Sequence, residues 1–423
     1  MKDAYSESGT VVYLTAAFPT LSEPYVVREI DALRARGVRV LAVAVWRPAP
    51  DDRWPEKAAY ADACVFLSEF RAVPFLRSLF RCGRSASRLW SLYSRILFRG
   101  GESGLQRIKA LAHVWLGVYF VEVTRQYAPS HIHVHHGYFH AWIARVAHCL
   151  EGVSYSITFH GSDLLLHPRY LDVKTEAAQF IVTISEHGKG VLLGQPAAKG
   201  LDPARVFVCR LGAQSATPSL PERRTSTLPG TPLLLSVGRL HPVKNQEFLV
   251  RACGVLRDEG MDSLCLIVGS GPRRPSLQGL IDRLDLGRNV KLIGAVPPGT
   301  LARLYGMADI CTLTSKSEGI PLVLMEAMLH GALVLAPAIT GVPELVIDGM
   351  TGFLYSPDDL AAFTQRLRHV LGLGEAQAAI REAAYRHVRA FFDAERNVAT
   401  YADLFTRMGR SGPSTAQVCG ESE

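Results

Sequence analysis

The chain has 423 residues, of which 48% are hydrophobic and 20% are charged, a composition that excludes a mostly disordered, collagen-like or coiled-coil protein. At this length we expect two domains, because a single hydrophobic core rarely extends over so many residues. Lysine and arginine outnumber aspartate and glutamate by 46 to 39, for a net charge of +7, which favours anionic partners over cationic ones.

Short β-rich apolar runs alternate with helical patterns along the first half of the chain. The clearest helical pattern covers 25–36 and stops at Gly37, a typical helix-ending residue. Alternation of this kind indicates parallel sheets covered by helices on both faces. The predicted fold class is therefore α/β, with six strands in this half: 11–17, 38–45, 131–135, 154–159, 181–185 and 206–211.

A Ser-, Thr- and Pro-rich stretch separates two halves that each begin with a strand pattern. We predict an amino-terminal Rossmann-like domain over 1–213, a linker over 214–230 and a second Rossmann-like domain over 231–390. A terminal helix over 391–408 is expected to pack back toward the first domain. The polar tail 409–423 is expected to be disordered.

Several absences in the sequence indicate where the protein works. None of the eight cysteines forms a C-x-x-C pair, so we expect reduced, buried thiols. The polar opening MKDAYSESGT lacks the pattern of a secretory signal, and no window reaches the run of about 20 apolar residues that a membrane span requires. We expect a cytoplasmic protein, with a peripheral position on the inner face of the cell membrane left open.

Two cations lie in the loop after the strand pattern LLLSV. Arg239 and Lys244 precede a helix pattern over about 245–259, and the free N–H groups of a helix N-terminus attract anions. This spacing favours a phosphate or pyrophosphate site. Two solvated charges on a surface loop would give the same spacing.

Two glutamates follow a later strand pattern, ICTLT. Glu318 lies in the loop at the end of that strand, and Glu326 lies in the second turn of the next helix, for which Pro321 suits the first position. Carboxylates accept hydrogen bonds from sugar or ribose hydroxyls. Taken alone, two glutamates eight residues apart also arise by chance.

These motifs occur in a fixed order with the loops GSGP at 269–272 and GVPE at 341–344. In this combination the second half resembles the family 4 glycosyltransferases over nearly its whole length, through SVGRLHPVKN, VGSGP, the E-x7-E motif that begins at Glu318, and TGVPELVIDGMTGFL. The resemblance implies a GT-B fold, in which two Rossmann-like domains with parallel sheets face each other across a cleft. It also implies a retaining, metal-independent transfer from a nucleotide-sugar donor.

The resemblance assigns roles in a donor-binding domain. Arg239 and Lys244 would hold the donor pyrophosphate, Glu318 would contact the transferred sugar, and Glu326 would bind the ribose. Fixed cations and helix-terminal N–H groups would stabilise the departing nucleoside diphosphate, so no cofactor or metal is expected. The donor-binding residues whose backbone would approach sugar and phosphate are Gly319, Ile320 and Pro321.

The first half is similar to the exopolysaccharide and colanic acid branch of the same family, through FPTLSEPYVVREIDAL, HIHVHHGYFHAWIARVAH, SITFHGSD and IVTISEHGKG. The resemblance makes this the acceptor-binding domain. His160, after the strand pattern SYSITF, matches a family histidine near the reacting sugar carbon and is a candidate catalytic residue; Asp163 is a weaker one. The first loop, 18–24, lacks the Gly-rich turn of many family members, which leaves open which of its backbone groups contact a substrate.

Two other site types are disfavoured by the sequence. The histidine run 131–140 places several imidazoles on one strand face, but neighbouring residues do not complete a convincing metal-ligand set. The GSGPRR loop lacks the third glycine of a dinucleotide fingerprint, which argues against hydride transfer.

The stretch 71–100 contains seven arginines and no acidic residue. On a continuous helix most of these arginines would fall close to one face, which predicts a basic amphipathic element for an anionic membrane surface. A helix packed on the first domain with a solvated basic face is the alternative. Nucleic acid is a third option that little else supports.

The predicted function is a retaining hexosyltransferase that uses a nucleotide-sugar donor, with UDP- and GDP-sugars favoured, and a glycan or polyprenyl-linked acceptor in surface or exopolysaccharide synthesis. One alternative is a nucleotide-sugar 2-epimerase on the same fold, which would need no acceptor. Another is a non-catalytic nucleotide-sugar-binding module. The sequence does not specify the sugar, the base, the linkage or the oligomeric state.

Overall fold

The computed structural model describes residues 9–166, 168–214, 219–221 and 231–410. The chain divides into two compact units, Met1–Cys209 together with Val398–Glu423, and Arg210–Asn397. Most of the predicted linker, and the predicted tail beyond residue 410, lie outside the described residues.

The first unit is built on a seven-stranded sheet in which every neighbouring pair is parallel, in the order β3-β2-β1-β4-β5-β6-β7. The strands are β1 Thr10–Ala17, β2 Val40–Trp46, β3 Val65–Phe66, β4 Pro129–His135, β5 Ser154–Phe159, β6 Phe180–Thr183 and β7 Val206–Val208. The helices are α1 Pro24–Ala35, α2 Ala58–Asp62, α3 Ala72–Arg84, α4 Trp90–Phe98, α5 Gly104–Thr124, α6 His140–Glu151, α7 Ser162–Leu165, α8 Leu171–Glu176 and α9 Glu186–Gly194.

The second unit contains a six-stranded parallel sheet in the order β10-β9-β8-β11-β12-β13. Its strands are β8 Leu233–Val237, β9 Leu264–Val268, β10 Val290–Gly294, β11 Ile310–Thr312, β12 Leu333–Pro337 and β13 Phe353–Tyr355. The helices are α10 Gln246–Asp258, α11 Arg274–Arg283, α12 Pro298–Met307, α13 Leu322–Leu329, α14 Val342–Leu345, α15 Leu360–Leu371, α16 Ala376–Phe391 and α17 Ala394–Arg410.

Helix α17 begins in the second unit and continues into the first. Its Tyr401 hydroxyl lies 2.7 Å from Nε2 of His133 on β4 and 3.3 Å from the hydroxyl of Tyr13 on β1. Phe405, one turn further on, is fully buried. The end of α17 therefore completes the core of the first unit.

Each sheet reverses its strand order at one point. In the first sheet the reversal lies between β1 and β4, and in the second it lies between β8 and β11. Ligands of open parallel sheets bind beyond the carboxyl ends of the strands at such a switch point. The loops that follow β1 and β4, and those that follow β8 and β11, are therefore the places to look for sites.

The stretch 71–100 does not form the one continuous helix on which a basic face was predicted. The stretch forms two helices, α3 and α4, separated by turns over 85–89, so its arginines are divided between two helices and the turns. Arg81 and Arg95 turn inward and form ion pairs with acids elsewhere in the unit. The sequence pattern missed this because those acids are distant in the chain.

Among the described helices none has the length and apolar character needed to cross a bilayer. The described cysteines are free thiols: Cys253, Cys265 and Cys311 are buried, whereas four others are partly exposed. Full burial of the thiols was thus predicted correctly for only some of them.

Candidate active site

The loop after β8 carries both predicted cations at the switch point of the second sheet. Gly238 turns the chain with φ +157°, and the next residue, Arg239, is exposed. Pro242–Lys244 form a single 3-10 turn, and Asn245 adopts a left-handed conformation just before α10. The side-chain amide of Gln246 donates to the Arg239 carbonyl at 2.9 Å, which fixes the loop that presents the two cations.

The GSGP loop packs closely against the loop that carries Arg239 and Lys244, which we call the cation loop. Gly269 and Gly271 have φ values of +139° and +150°, and a Cβ on Gly269 would lie 2.1 Å from the carbonyl oxygen of Gly238. The Leu240 N–H donates to the Ser270 carbonyl at 2.7 Å. Only glycine permits both the backbone conformation and this close approach. The glycines therefore shape the cation loop and do not form a dinucleotide fingerprint.

The structure brings Lys244 and Glu318 together across the switch point. Lys244 Nζ lies 2.6 Å from Glu318 Oε1, and both side chains are mostly buried, at 23% and 10% exposure. The Thr340 hydroxyl donates to the Glu318 carbonyl at 2.5 Å and accepts from the Glu318 N–H at 3.3 Å. These two hydrogen bonds thus fix the position of the Glu318 backbone relative to Thr340.

The backbone between Glu318 and α13 presents unused donors. The N–H groups of Gly319 and Ile320 donate to no acceptor in the described part of the chain. A Cβ on Gly341 would lie 2.2 Å from the Gly319 carbonyl oxygen, so the GVPE glycine permits this loop to pass. Pro321 is the N-cap residue and not the first helical residue as predicted. Free N–H groups in such a loop are suited to bind an anion.

Glu326 lies on α13, in the second turn, as predicted. The Tyr305 hydroxyl donates to Glu326 Oε2 at 3.1 Å. Burial raises the pKa of Tyr305 well above its usual value, and the Glu326 carboxylate raises it further. Tyr305 therefore remains a hydrogen-bond donor and holds Glu326 in one orientation.

His160 lies at the carboxyl end of β5 in the first unit. Its Nε2 is 3.0 Å from Nδ1 of His135, and the Tyr25 ring stacks on it with centroids 4.7 Å apart. Its Nδ1 is buried and has no hydrogen-bond partner in the ranges that the structure describes. Burial lowers the pKa of His160 well below its usual value, and the positive form of His136 would lower it further. His160 is therefore a neutral imidazole at neutral pH.

Asp163 stabilises the backbone turn that carries His160. It is buried, and its carboxylate accepts hydrogen bonds from the backbone N–H groups of His160, Gly161, Leu164 and Gly137 at 2.8–3.3 Å. These bonds hold the turn that carries His160 against the turn after β4. The four donors leave Asp163 no free direction for a substrate.

The histidines of β4 form part of an internal polar cluster. Glu29, His133 and His135 have ligand-type atoms within 4.8 Å of one another, a spacing that would fit a metal ion. His133 is hydrogen-bonded to Tyr401 and Ser156. His135 Nε2 and Glu29 Oε2 lie 3.1 Å apart, but neither atom has a hydrogen-bond partner in the described residues. The fold thus brings to the β4 histidines a carboxylate that the sequence around them lacks.

Sequence reasoning missed several residues that position the candidates. Thr340 and Tyr305 hold the two glutamates, and Glu23 holds His136 at 2.8 Å after β1 and β4. Burial opposes ionisation of Glu23, but His136 outweighs it and lowers its pKa. Thr340 stands beside the quoted GVPE motif, so its position was visible; the contact of Tyr305 with Glu326 depends on helix packing and left no sequence signal.

Comparison with known families decides what the second unit is. Residues 221–387 match the family model described as Glycosyl transferases group 1. This part of the chain is a group 1 glycosyl transferase domain. The predicted family is thereby confirmed, and the domain contains every second-unit candidate residue.

Curated relatives extend the match. The chain is 28% identical over 389 residues to the amylovoran biosynthesis glycosyltransferase AmsK of Erwinia amylovora, covering 86% of this chain and 91% of that protein. It is 32% identical over 181 residues to the putative colanic acid biosynthesis glycosyltransferase WcaL of Salmonella typhimurium, and 34% identical over 207 residues to a D-inositol 3-phosphate glycosyltransferase of Actinosynnema mirum. The last two matches cover 41% and 45% of this chain but only 44% and 49% of those proteins.

Solved structures show the same fold at low identity. The Thermosynechococcus elongatus sucrose-phosphate synthase superposes with a TM-score of 0.71 at 18% identity, covering 95% of this chain and 100% of that one. Anabaena Alr3699/HepE in complex with UDP and glucose gives 0.68 at 17% identity, with 94% and 100% coverage. The predicted α/β, GT-B class of fold is confirmed.

Proposed function

We propose that the protein is a retaining glycosyltransferase that moves a hexose from a nucleotide-sugar donor to a glycan or polyprenyl-linked acceptor in surface or exopolysaccharide synthesis. The observation that carries the proposal is the constellation at the second switch point. There two cations, two oriented carboxylates and free backbone N–H groups converge on the loops after β8 and β11. These groups are complementary to a sugar diphosphate.

The leaving group explains the cations. In the proposed reaction the bond between the sugar C1 and the diphosphate oxygen breaks, and the acceptor hydroxyl oxygen bonds to C1 on the same face. The acceptor proton passes to the departing diphosphate. Arg239, Lys244 and the N–H groups of Gly319 and Ile320 stabilise the charge that develops on that diphosphate, because fixed donors need no reorganisation as the bond breaks. No step in this scheme requires a metal or cofactor.

The carboxylates select the rest of the donor. Glu326, oriented by Tyr305, is proposed to accept from the ribose hydroxyls, and Glu318 from a hydroxyl of the transferred sugar. Lys244 is paired with Glu318. On donor binding, its ammonium group would donate hydrogen bonds to both the Glu318 carboxylate and the diphosphate.

We propose that His160 of the first unit hydrogen-bonds the transferred sugar. Its low pKa supports this role, because a neutral imidazole places no positive charge beside a sugar carbon that becomes electron-poor as the bond breaks. Its unpartnered Nδ1 is the atom available for that bond. The donor base is proposed to be uracil or guanine, following the UDP bound in the Anabaena neighbour for the first of these.

The test is the thermal stabilisation of the purified full chain by UDP-, GDP- and ADP-sugars without added metal. A ligand at about 100 times its dissociation constant contributes about 2.7 kcal/mol, so we expect a rise of several degrees with one nucleotide class. Lys244→Ala should abolish it and lower turnover by about 100-fold or more. Lys291→Ala, an exposed lysine on β10, is the matched control and should behave as wild type.

Three results would contradict the proposal. An unchanged rate in Lys244→Ala would remove the assigned cation. Conversion of the sugar nucleotide with no acceptor present would indicate the epimerase alternative. Tight donor binding without turnover on any glycan or polyprenyl-linked acceptor would indicate a binding module.

A further inference from the structure

Exposed apolar side chains are concentrated in one part of the first unit. Of the seventeen large hydrophobic side chains that are exposed in the described residues, ten fall between residues 70 and 108. Scattered single apolar residues are normal on a protein surface, but a concentration of this size is not. We call these ten residues the apolar face: Phe70, Val73, Leu76, Leu79, Phe80, Trp90, Leu97, Phe98, Leu105 and Ile108.

Helix packing explains why these side chains point outward. Helix α3 packs on α5 through its opposite side, where Ser78 is buried and Phe75 contacts the ring of Trp115. Val73, Leu76 and Phe80 recur at the i, i+3 and i+7 positions of α3, which lie on one side of a helix. They are 58%, 64% and 70% exposed. Helix α3 is amphipathic, yet it turns an apolar stripe to the surface.

The arginines that would be expected on the surface are used inside the unit. Arg81 pairs with Glu122 at 2.7 Å and with Glu151. Arg95 pairs with Asp172 at 2.6 Å and Glu102 at 2.9 Å. These ion pairs tie α3 and α4 to the rest of the unit. They hold the helices in the orientation that exposes the apolar face.

Four further cations of this stretch are exposed and have no acidic partners. Arg77, Arg84, Arg99 and Lys109 are exposed and make no ion pair with any carboxylate in the described ranges. Glu102 is the sole acidic residue in the sequence from 70 to 110, and its charge is taken up by Arg95, whose hydrogen bond lowers the Glu102 pKa. Arg84 lies over the ring of Phe80, so the exposed surface combines apolar side chains with positive charge.

We propose that the apolar face inserts into an anionic lipid bilayer. Phenylalanine and leucine side chains would enter the acyl boundary, Trp90 would lie at the headgroup level, and the exposed arginines would contact lipid phosphates. A water-soluble protein partner would be matched equally by the apolar residues, but the four unpaired cations favour an anionic surface. The inference deepens the proposed transfer to a polyprenyl-linked acceptor and rests on that function for its purpose.

The test is flotation of the full chain with phosphatidylcholine vesicles and with mixed phosphatidylcholine and phosphatidylglycerol vesicles, since the second lipid carries the negative charge that attracts basic surfaces. Wild-type protein should float with the anionic vesicles and much less with the neutral ones. The double variant Leu76→Gln, Phe80→Gln should reduce the partition coefficient by about tenfold or more, since each side chain loses its transfer into the apolar phase. Arg77→Gln, Arg84→Gln should abolish the preference for anionic vesicles.

Phe391→Gln is the control, because Phe391 is an aromatic residue of the second unit that is also exposed, at 56%; it should float as wild type does. Absence of flotation with either vesicle, or equal losses in the double variant and the control, would overturn the proposal. So would a concentration-dependent dimer that only Leu76→Gln, Phe80→Gln dissociates, which would identify a second copy as the occupant. Nucleotide-sugar stabilisation measured on the same variants should be unchanged, so a failure here is separable from a failure of the proposed function.

Discussion

The carboxyl edges of the two sheets differ in the burial and hydrogen bonding of their polar groups. In the first unit the polar side chains beyond β4 and β5 are buried: Asp163 accepts from four backbone N–H groups, and Nδ1 of His160, which has no partner in the described residues, is itself buried. In the second unit, Arg239 is exposed, and the N–H groups of Gly319 and Ile320 have no protein acceptor in the part that the structure describes. The difference teaches that a sheet edge rich in polar residues is not by itself a binding site. Backbone N–H groups without a protein acceptor distinguish the ligand site of the second unit from the polar core of the first.

The largest effect should come from breaking the loop that presents the donors. In Gly269→Ala the new Cβ would meet the Gly238 carbonyl oxygen at 2.1 Å and require an unfavourable φ of +139°. We expect a loss of about 3 kcal/mol or more in the stability of the second unit, together with loss of nucleotide-sugar binding. Scanning calorimetry of the wild type and the variant, with and without nucleotide sugar, would show both losses. Gly306→Ala, where a Cβ meets nothing within 4 Å in α12, is the control; equal behaviour of the two variants would refute the role of the loop.

The next effect should appear in the first unit. Asp163→Asn replaces an acceptor-only carboxylate with an amide whose NH2 faces backbone donors, so at least one bond is lost. We expect the first unit to lose about 2–3 kcal/mol, measured by denaturant unfolding. Asp62→Asn, at an exposed position, should cost almost nothing. If Asp163→Asn were as stable as wild type but inactive, Asp163 would belong with the substrate groups and the contrast between the two edges would fail.

A smaller effect concerns pH. Burial lowers the pKa of His131 and His140 to about 3, and those of His133 and His160 well below the usual value. The unfolded chain therefore binds more protons below about pH 6.5, and stability that is fully present above that pH is lost as the pH falls toward 3. Each such histidine contributes a slope of about 1.4 kcal/mol per pH unit.

The slope can be assigned to individual side chains by comparing unfolding free energies between pH 7.5 and 5.5. His140→Gln should reduce the slope of unfolding free energy against pH by the contribution of one histidine, whatever it does to the absolute stability. His369→Gln, at an exposed position in the second unit, should leave it unchanged. A pH-independent stability in the wild-type protein would show that the histidine cluster is charged or hydrated, in conflict with a closed polar core.

Much of the fold was predictable because its signals are local. The strand pattern 154–159 has the same bounds as β5, and the helix pattern 25–36 differs from α1 by one residue at each end. The short strand β3, only two residues long, gave no periodicity to recognise. The inward position of Arg81 was not predicted, because the acids that bind it lie 41 and 70 residues further along the chain.

The candidate site divides in the same way. The residues that would bind the donor were predicted because each follows a strand and belongs to a motif. The partners that orient them were not, since Tyr305 and Thr340 reach the glutamates only after helices and loops have packed. The Lys244–Glu318 pair joins residues 74 positions apart, a proximity that only the sheet order between β8 and β11 creates.

The most direct test of the account is the dissociation constant for UDP and GDP, measured by isothermal titration of the full chain as wild type, Lys244→Ala and His160→Ala. The account predicts that one nucleotide binds the wild type and His160→Ala with similar affinity and that Lys244→Ala weakens it by about tenfold or more, the loss expected for one charged hydrogen bond to a phosphate. Full nucleotide affinity in Lys244→Ala, with affinity lost in His160→Ala, would contradict it and place the binding groups at the first sheet edge instead.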